Sequence, residues 1–217
     1  GILKPNYIYM DHASATPIDN SVQKLLRKYE GGFFANPNGI HSQSVFVRNC
    51  IDKARASIAR ALGAHSDEII FTSSGTESDA LAILGTVYKY SEFGFPHIIT
   101  INIEHSAVIE NCKMLERKGL AEVTYVQVEA NGIVDPKKIE EALKENTILV
   151  SVMYANNEIG TIQPIQEIAK VLRRFRKNKQ DTQNLSRVGA PRERVKCEDF
   201  VYPGCFPLFH TDACQAM

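Results

Sequence analysis

The chain has 217 residues, with 44% hydrophobic and 23% charged side chains and a formal net charge of zero. That balance reads as a soluble, globular chain and gives no charge-based reason to expect nucleic acid or an acidic membrane as partner. No apolar run reaches the length of a membrane span, and the opening "GILKPNYIYMD" lacks the apolar core of a signal peptide, so a cytoplasmic protein is expected.

Strand and helix signals alternate along the chain. A helix is predicted over about Ser21–Tyr29 and a longer one over Gln43–Leu62, with Val47, Ile51, Ala54, Ile58 and Ala61 at helical spacing and Gly63 as its C-terminal cap. A strand over Glu68–Thr72 then leads through a Ser/Gly turn into a helix from Thr76. A second strand, "HIITINIE", ends near Glu104, and a helix over Ala107–Lys118 follows, closed by Gly119. Glu122–Val128 is the third strand. Asp135 and Pro136 then mark an N-cap and first helical position. The apolar run "TILVSVM" reads as a strand buried on both faces, and Pro164 opens a helix to about Phe175. The last strand is "CFPLFHTD", weakened by Pro207.

Strands separated by ten- to fifteen-residue helices predict an α/β three-layer sandwich with a mainly parallel sheet and right-handed crossovers. Ligands of such sheets sit at the carboxyl ends of the strands, and polar residues cluster there: Ser73–Glu77, Glu104–Ser106, Asn156–Glu158 and Thr211–Gln215. One stretch breaks the rhythm. Lys170–Asp199 holds ten Lys/Arg against four Asp/Glu and reads as a solvated loop, with a basic docking surface as the alternative. The five cysteines (50, 112, 197, 205 and 214) form no CxxC pair, which argues against a zinc site; no metal is expected.

The turn "TSSGT" between strand and helix has the makings of an anion site. The first helical N–H groups lack intrahelical partners, the helix dipole adds positive charge, and Gly75 allows close approach. No GK[ST] follows, so it is not a P-loop. At the other strand ends, His105 is placed to stack on a flat ring, Asn157 to hydrogen-bond a ring substituent, and Asp212 to pair with a ring nitrogen. Together they fit a phosphorylated aromatic cofactor such as pyridoxal 5'-phosphate.

At this point the sequence resembles the cysteine desulfurases, the class V aminotransferase branch of the fold-type I pyridoxal-phosphate enzymes. The matching pieces run in the family's order: "YMDHASATP", "NPNGIHS", "FTSSGTESDALAI" (against Phe-Thr-Ser-Gly-Ala-Thr-Glu-Ser-Asn-Asn), "EHSAV", "NGIVDP", "ILVSVMYANNEIGTIQPI" and "HTDACQA". The resemblance covers nearly all of the chain outside about 177–202. It implies that Gly75 and Thr76 hold the cofactor phosphate and that His105 stacks on the ring as the catalytic histidine. It also implies that Asn157 and Gln215 contact the ring hydroxyl, that Asp212 pairs with the pyridine nitrogen, and that Asn36 lies near the substrate carboxylate.

The implied activity is removal of sulfur from L-cysteine, giving alanine and an enzyme persulfide that feeds iron–sulfur cluster assembly or thiolation. A selenocysteine lyase or another class V aminotransferase, and a non-catalytic fragment or scaffold, are the alternatives. The sequence departs from the pattern at Ser74, at Ser106, and most of all at Met217, where it stops before the family's Ser-x-His-Lys segment. Residues 1–217 are therefore expected to be a partial large domain with a basic insertion at about 177–202 and with the C-terminal part and small domain absent. Such a chain lacks a counterpart of the Schiff-base lysine and of the persulfide cysteine, and is expected to be inactive alone. Cys214 is not expected to substitute as nucleophile, because a neighbouring carboxylate raises a thiol pKa. Its expected partners are a homodimer mate or a second polypeptide carrying the remainder, L-cysteine, and a sulfur-acceptor scaffold protein.

Overall fold

The computed structural model describes residues 8–187 and 207–214. The chain divides into two compact units, residues 1–72 and 73–217. In the first unit, α1 (Asn20–Gly32) is capped by Asp19, whose carboxylate accepts from Ser21 N at 2.7 Å. Helix α2 (Ser42–Leu62) starts at His41 and ends at Gly63, whose φ of +65° is the left-handed conformation that glycine adopts without a Cβ penalty.

The strand predicted over Glu68–Thr72 is not formed. A 3-10 turn occupies Ser66–Glu68, and the extended segment after it has no strand partner among the described residues. Ile70 and Phe71 are exposed, and Arg55 lies over the Phe71 ring at 4.7 Å. β-branched and aromatic residues favour a strand only where a neighbour pairs with it, which is why propensity misled here.

The second unit is an α/β/α sandwich. Its sheet has four parallel strands in the order β2-β1-β3-β4: β1 (His97–Ile101), β2 (Glu122–Val126), β3 (Thr147–Ser151) and β4 (Leu208–His210). Helices α3 (Gly75–Tyr90) and α4 (Ser106–Arg117) cover one face, where Ile83, Val87, Val108, Cys112 and Leu115 pack against Ile98 and Ile148. Helices α5 (Pro136–Ala142) and α6 (Ile165–Arg187) cover the other, with Ile139, Ile168 and Leu172 against Ile99, Ile101 and Val150. Strands β1 and β3 are buried at every position, as central parallel strands covered on both sides must be. Asp135 caps α5 by accepting from Lys137 N at 2.9 Å, with Pro136 at the first helical position.

The predicted strand ends ran too far. β1 stops at Ile101, β2 at Val126 and β3 at Ser151, because the residues beyond leave the ladder to build loops at the carboxyl edge. Helix α6 runs the other way, twelve residues past the predicted end at Phe175. Apolar periodicity fades there, but straight-chain helix formers continue and no Gly or Pro intervenes before Gly189. Two of its basic side chains find partners outside the helix: the Arg176 guanidinium donates to Pro207 O, and Lys179 Nζ donates to Glu145 O at 2.7 Å. The remainder of the predicted basic insertion, 188–202, lies outside the described residues. β4 begins after Pro207, as a residue without an N–H donor requires. No described helix is long and apolar enough to cross a membrane.

Ile148 is fully buried between α3, α4 and the sheet. Ile148→Ala is expected to cost about 3–4 kcal/mol, as transfer free energy plus the residual cavity. Urea denaturation, read as a lowered midpoint at unchanged slope, checks this.

Candidate functional site

The site is built at the carboxyl edge of the sheet in the second unit. Helix α3 opens at Gly75 and Thr76, whose N–H groups lie in the first turn and have no partner within the helix. Ser74 is the N-cap, its hydroxyl accepting from Glu77 N at 3.2 Å. Glu77 reaches back, its carboxylate accepting from both Ser73 N and Ser73 Oγ at 2.6 Å. Those two bonds hold the Glu77 carboxyl below its ordinary range. Ser73 is thus committed to a reciprocal cap, and the amides of Gly75 and Thr76 remain as the donors for an anion. A Cβ on Gly75 would come within 2.8 Å of Cys214 Sγ, so the loop after β4 packs directly onto this turn.

His105 caps α4, with Nδ1 accepting from Ala107 N at 3.2 Å. That bond fixes the ring at the exit of β1. His105 lines a cleft of about 390 Å³ together with Asn102, Glu104, Asn156 and Asn157. The two adjacent asparagines have different roles. Asn157 is exposed at the cleft. Asn156 is buried and builds the loop: its Oδ1 accepts from Glu158 N and Ile159 N, and its Nδ2 donates to Ile103 O at 2.9 Å.

Asp212 follows β4. Its Oδ1 accepts from Cys214 N at 3.0 Å, and its carbonyl accepts from Tyr154 N at 2.8 Å. Polar side-chain atoms of Asp212, His105 and Asp79 lie within 4.8 Å of one another. Asp79, one helical turn beyond Gly75, is buried and faces His210 Nε2 at 3.4 Å. Beneath them lies Glu104. Its Oε1 accepts from Met153 N at 2.6 Å, while its buried Oε2 has no hydrogen-bond partner among the described residues. Burial foremost, then the charges of Asp212 and Asp79, push the Glu104 carboxyl up to about 8. The pocket floor is therefore acidic, with one of its carboxyls held as the acid near neutral pH.

The structure thus gathers Gly75, Thr76, His105, Asn157 and Asp212 along one edge of one unit, and brings His105 and Asp212 into mutual reach. Asn36 belongs to the first unit. There its Oδ1 accepts from Asn38 N at 2.9 Å, and it lines a cavity of about 780 Å³ with Phe33, Phe34, His41 and Phe46. Gln215 lies outside the described residues. Cys214 has its thiol pushed up to about 11, first by its hydrogen bond to Asp212 and then by burial, which leaves it a poor nucleophile at neutral pH.

Sequence reasoning placed Glu104 in a strand-end polar cluster without giving it a role, and did not single out Asp79, His210 or Ser151. A signal for two of them was available. Asp79 sits four residues after Gly75 and so on the same helix face, and His210 sits two before Asp212 and so on the same side of the strand.

The aminotransferase class-V family profile matches residues 8–178. A putative cysteine desulfurase IscS 1 of Bacillus subtilis is 49% identical over 166 residues, covering 76% of this chain and 43% of that protein. The cysteine desulfurase IscS of Dictyoglomus turgidum is 46% identical over 168 residues, covering 77% of this chain and 42% of its own. Among solved structures, SspA in complex with cysteine superposes with a TM-score of 0.72 at 39% identity, over 75% of this chain and 46% of that one. A NifS-like protein superposes with the same TM-score at 38% identity, over 76% and 44%. The chain spans less than half the length of these relatives.

Proposed function

Because this chain belongs to the class-V aminotransferases, we propose that it supplies the cofactor cup of a pyridoxal-phosphate-dependent cysteine desulfurase, which takes sulfur from L-cysteine and leaves alanine. The observation that carries the reading is the convergence of Asp212 and His105 at one strand edge, beside the open amides of α3.

The residues present suit the cofactor. Gly75 leaves a cradle that a side chain would fill, and Thr211 Oγ1 and Glu104 Oε2 are buried polar atoms without a partner among the described residues. When bound, pyridoxal phosphate supplies an electron sink for bond cleavage at the substrate's carbons. The N–H groups of Gly75 and Thr76 would hold the phosphate, where the helix dipole favours negative charge. His105, fixed by its capping bond, would lie against the ring face and exclude water from it. Asn157 would hydrogen-bond the ring hydroxyl from the cleft wall, and Gln215 would join it. The Asp212 carboxylate, oriented by Cys214 N, would keep the proton on the ring nitrogen. Asn36 would contact the substrate carboxylate.

The supply of sulfur to iron–sulfur cluster assembly accords with the IscS names of the relatives. A cytoplasmic location and an association with a second copy, or with a polypeptide carrying further strands, complete the proposal. Among the described residues β4 is an edge strand, and an open edge invites pairing.

Equilibrium dialysis against pyridoxal phosphate tests the reading. The chain is expected to bind the cofactor, and Asp212→Ala to weaken it by about tenfold or more, as the loss of a charge-assisted hydrogen bond. An unaltered affinity in that variant, or no binding by the parent, would overturn the assignment.

A further inference from the structure

We propose that Asp79, His210 and Ser151 form a positioning relay that keeps the ring-nitrogen carboxylate, Asp212, in register with the phosphate turn at Gly75 and Thr76. The inference rests on the cofactor reading above and extends it to residues that touch no ligand.

A bound cofactor would have two polar ends here. The phosphate end meets the start of α3, and the ring-nitrogen end meets the loop after β4. These belong to different layers of the sandwich, so a ligand that bridges them is gripped only if the spacing between layers is fixed. The main chain fixes only part of it. Ser151 pairs with His210 in the β3–β4 ladder, and Tyr154 N donates to Asp212 O, but both bonds lie within the sheet edge. Nothing in them ties β4 to the helix.

The side chains supply that tie. Ser151 Oγ lies 2.8 Å from His210 Nδ1, and Asp79 Oδ1 lies 3.4 Å from His210 Nε2. With the Ser151 hydroxyl donating to Nδ1, Nε2 is left to face the Asp79 carboxylate at charge-contact distance. Ser151 is fully buried and Asp79 is 4% exposed, so neither can trade the contact for bulk water. Asp79 is one turn along α3 from Gly75, and His210 is two residues from Asp212. The contact between them therefore measures the distance between the two ends of the ligand. The close approach of Gly75 to Cys214 marks the same docking of loop onto helix.

The matching family motif has Asn where this chain has Asp79. An asparagine keeps the size and polarity of that partner without its charge, which separates geometry from charge in the test. Dissociation constants for pyridoxal phosphate and for pyridoxal, without the phosphate, are measured for the parent chain and for Asp79→Ala, His210→Ala and Asp79→Asn. In the parent, the phosphate adds affinity because both ends engage at once. In Asp79→Ala and His210→Ala the ratio of the two constants is expected to fall about tenfold, as the ends lose their common register. Asp79→Asn should stay within about threefold of the parent ratio.

An equal loss of both ligands, which general loosening would cause, would overturn the relay, and so would an unchanged ratio in Asp79→Ala. Should alanine variants fail to fold, Ser151→Ala and Asp79→Asn are read by the 15N resonances of the His210 imidazole in the ligand-free protein. Nδ1 is expected to move in the first and Nε2 in the second; immobile resonances would sink the contact itself. A parent chain that binds neither ligand removes the cofactor reading and the relay's role with it. Normal parent binding with an unchanged variant ratio removes the relay alone.

Discussion

Gly75→Ala is expected to lower pyridoxal-phosphate affinity a few-fold, although the matching family motif carries Ala at this place, and Cys214→Ala in the same chain to restore it, because the obstacle lies in this chain's Cys214. The reason is steric. Gly75 is the first residue of α3, and an ideal Cβ built there lies 2.8 Å from Cys214 Sγ, closer than bonded-neighbour-free carbon and sulfur approach. One of the two must move, and because Sγ ends a short, exposed side chain the cost is at the low end of overpacking, about 1 kcal/mol. The displaced group sits two residues from Asp212, whose carboxylate is oriented by Cys214 N at 3.0 Å. A single methyl group would thus widen the turn that receives the phosphate and swing the carboxylate meant for the ring nitrogen. Removing the sulfur empties the space the methyl group needs while retaining the main-chain bond to Asp212. The single variant Cys214→Ala should bind like the parent. Parent-like affinity in Gly75→Ala would contradict the proposed close docking, and so would a double variant as weak as the single one.

The parts of this fold that were legible in the sequence are those where local chemistry and tertiary packing agree. The α2 helix carries both an apolar period and a glycine that can turn left-handed at its end. Asp135 and Pro136 announce α5 because a cap and a proline at the first position satisfy the same orphan donors. β1 and β3 are short apolar runs, and both are buried throughout. Where context decides, the sequence is silent. Ile69, Ile70 and Phe71 have strand-like side chains, but no neighbour pairs with them. The α6 helix outlasts its apolar stripe because nothing in Lys177–Arg187 stops a helix, and its Arg176 and Lys179 find carbonyl acceptors that no spacing rule reveals.

The candidate site divides in the same way. His105 and Asp212 stand at strand ends, where a parallel sheet exposes its residues, so topology alone drew attention to them. Glu104, counted only as a strand-end polar residue, was given no role and Asp79 was passed over, because a carboxylate normally seeks water and only coordinates show that both are buried. His210 and Ser151 read as ordinary strand residues until the ladder places them side by side.

Glu104→Gln should stabilise the protein at pH 8–9 and change it little at pH 4.5. Burial and the nearby charges of Asp212 and Asp79 raise the folded-state pKa of Glu104 from 4.5 to about 8. Between those two values the folded protein keeps the proton and the unfolded chain has released it. Stability therefore falls as pH rises across that window, and is fully diminished above it. Glutamine carries no proton to lose, so the gain from substitution grows with pH to a few kcal/mol, or roughly 5–10 °C in melting temperature. His97 acts in the opposite sense. It is fully buried between the hydroxyls of Thr147 and Thr124, each at 2.8 Å, and burial, then the charge of Lys144, lowers it from 6.5 to about 4. Here the unfolded chain binds the extra proton, so stability rises with pH between 4 and 6.5. From 4.5 to 6.5 the two slopes are equal and opposite, one proton each, and cancel. From 6.5 to 8 only the Glu104 decline remains. Removing Glu104 should thus expose the rise from His97 that the parent protein conceals. Urea denaturation of both proteins at pH 5, 7 and 9 reads the difference directly, because every other titrating group is common to the two. A stability difference that is the same at all three pH values would show that Glu104 is ionised in the folded protein, and that the pocket floor carries one more negative charge than its burial permits.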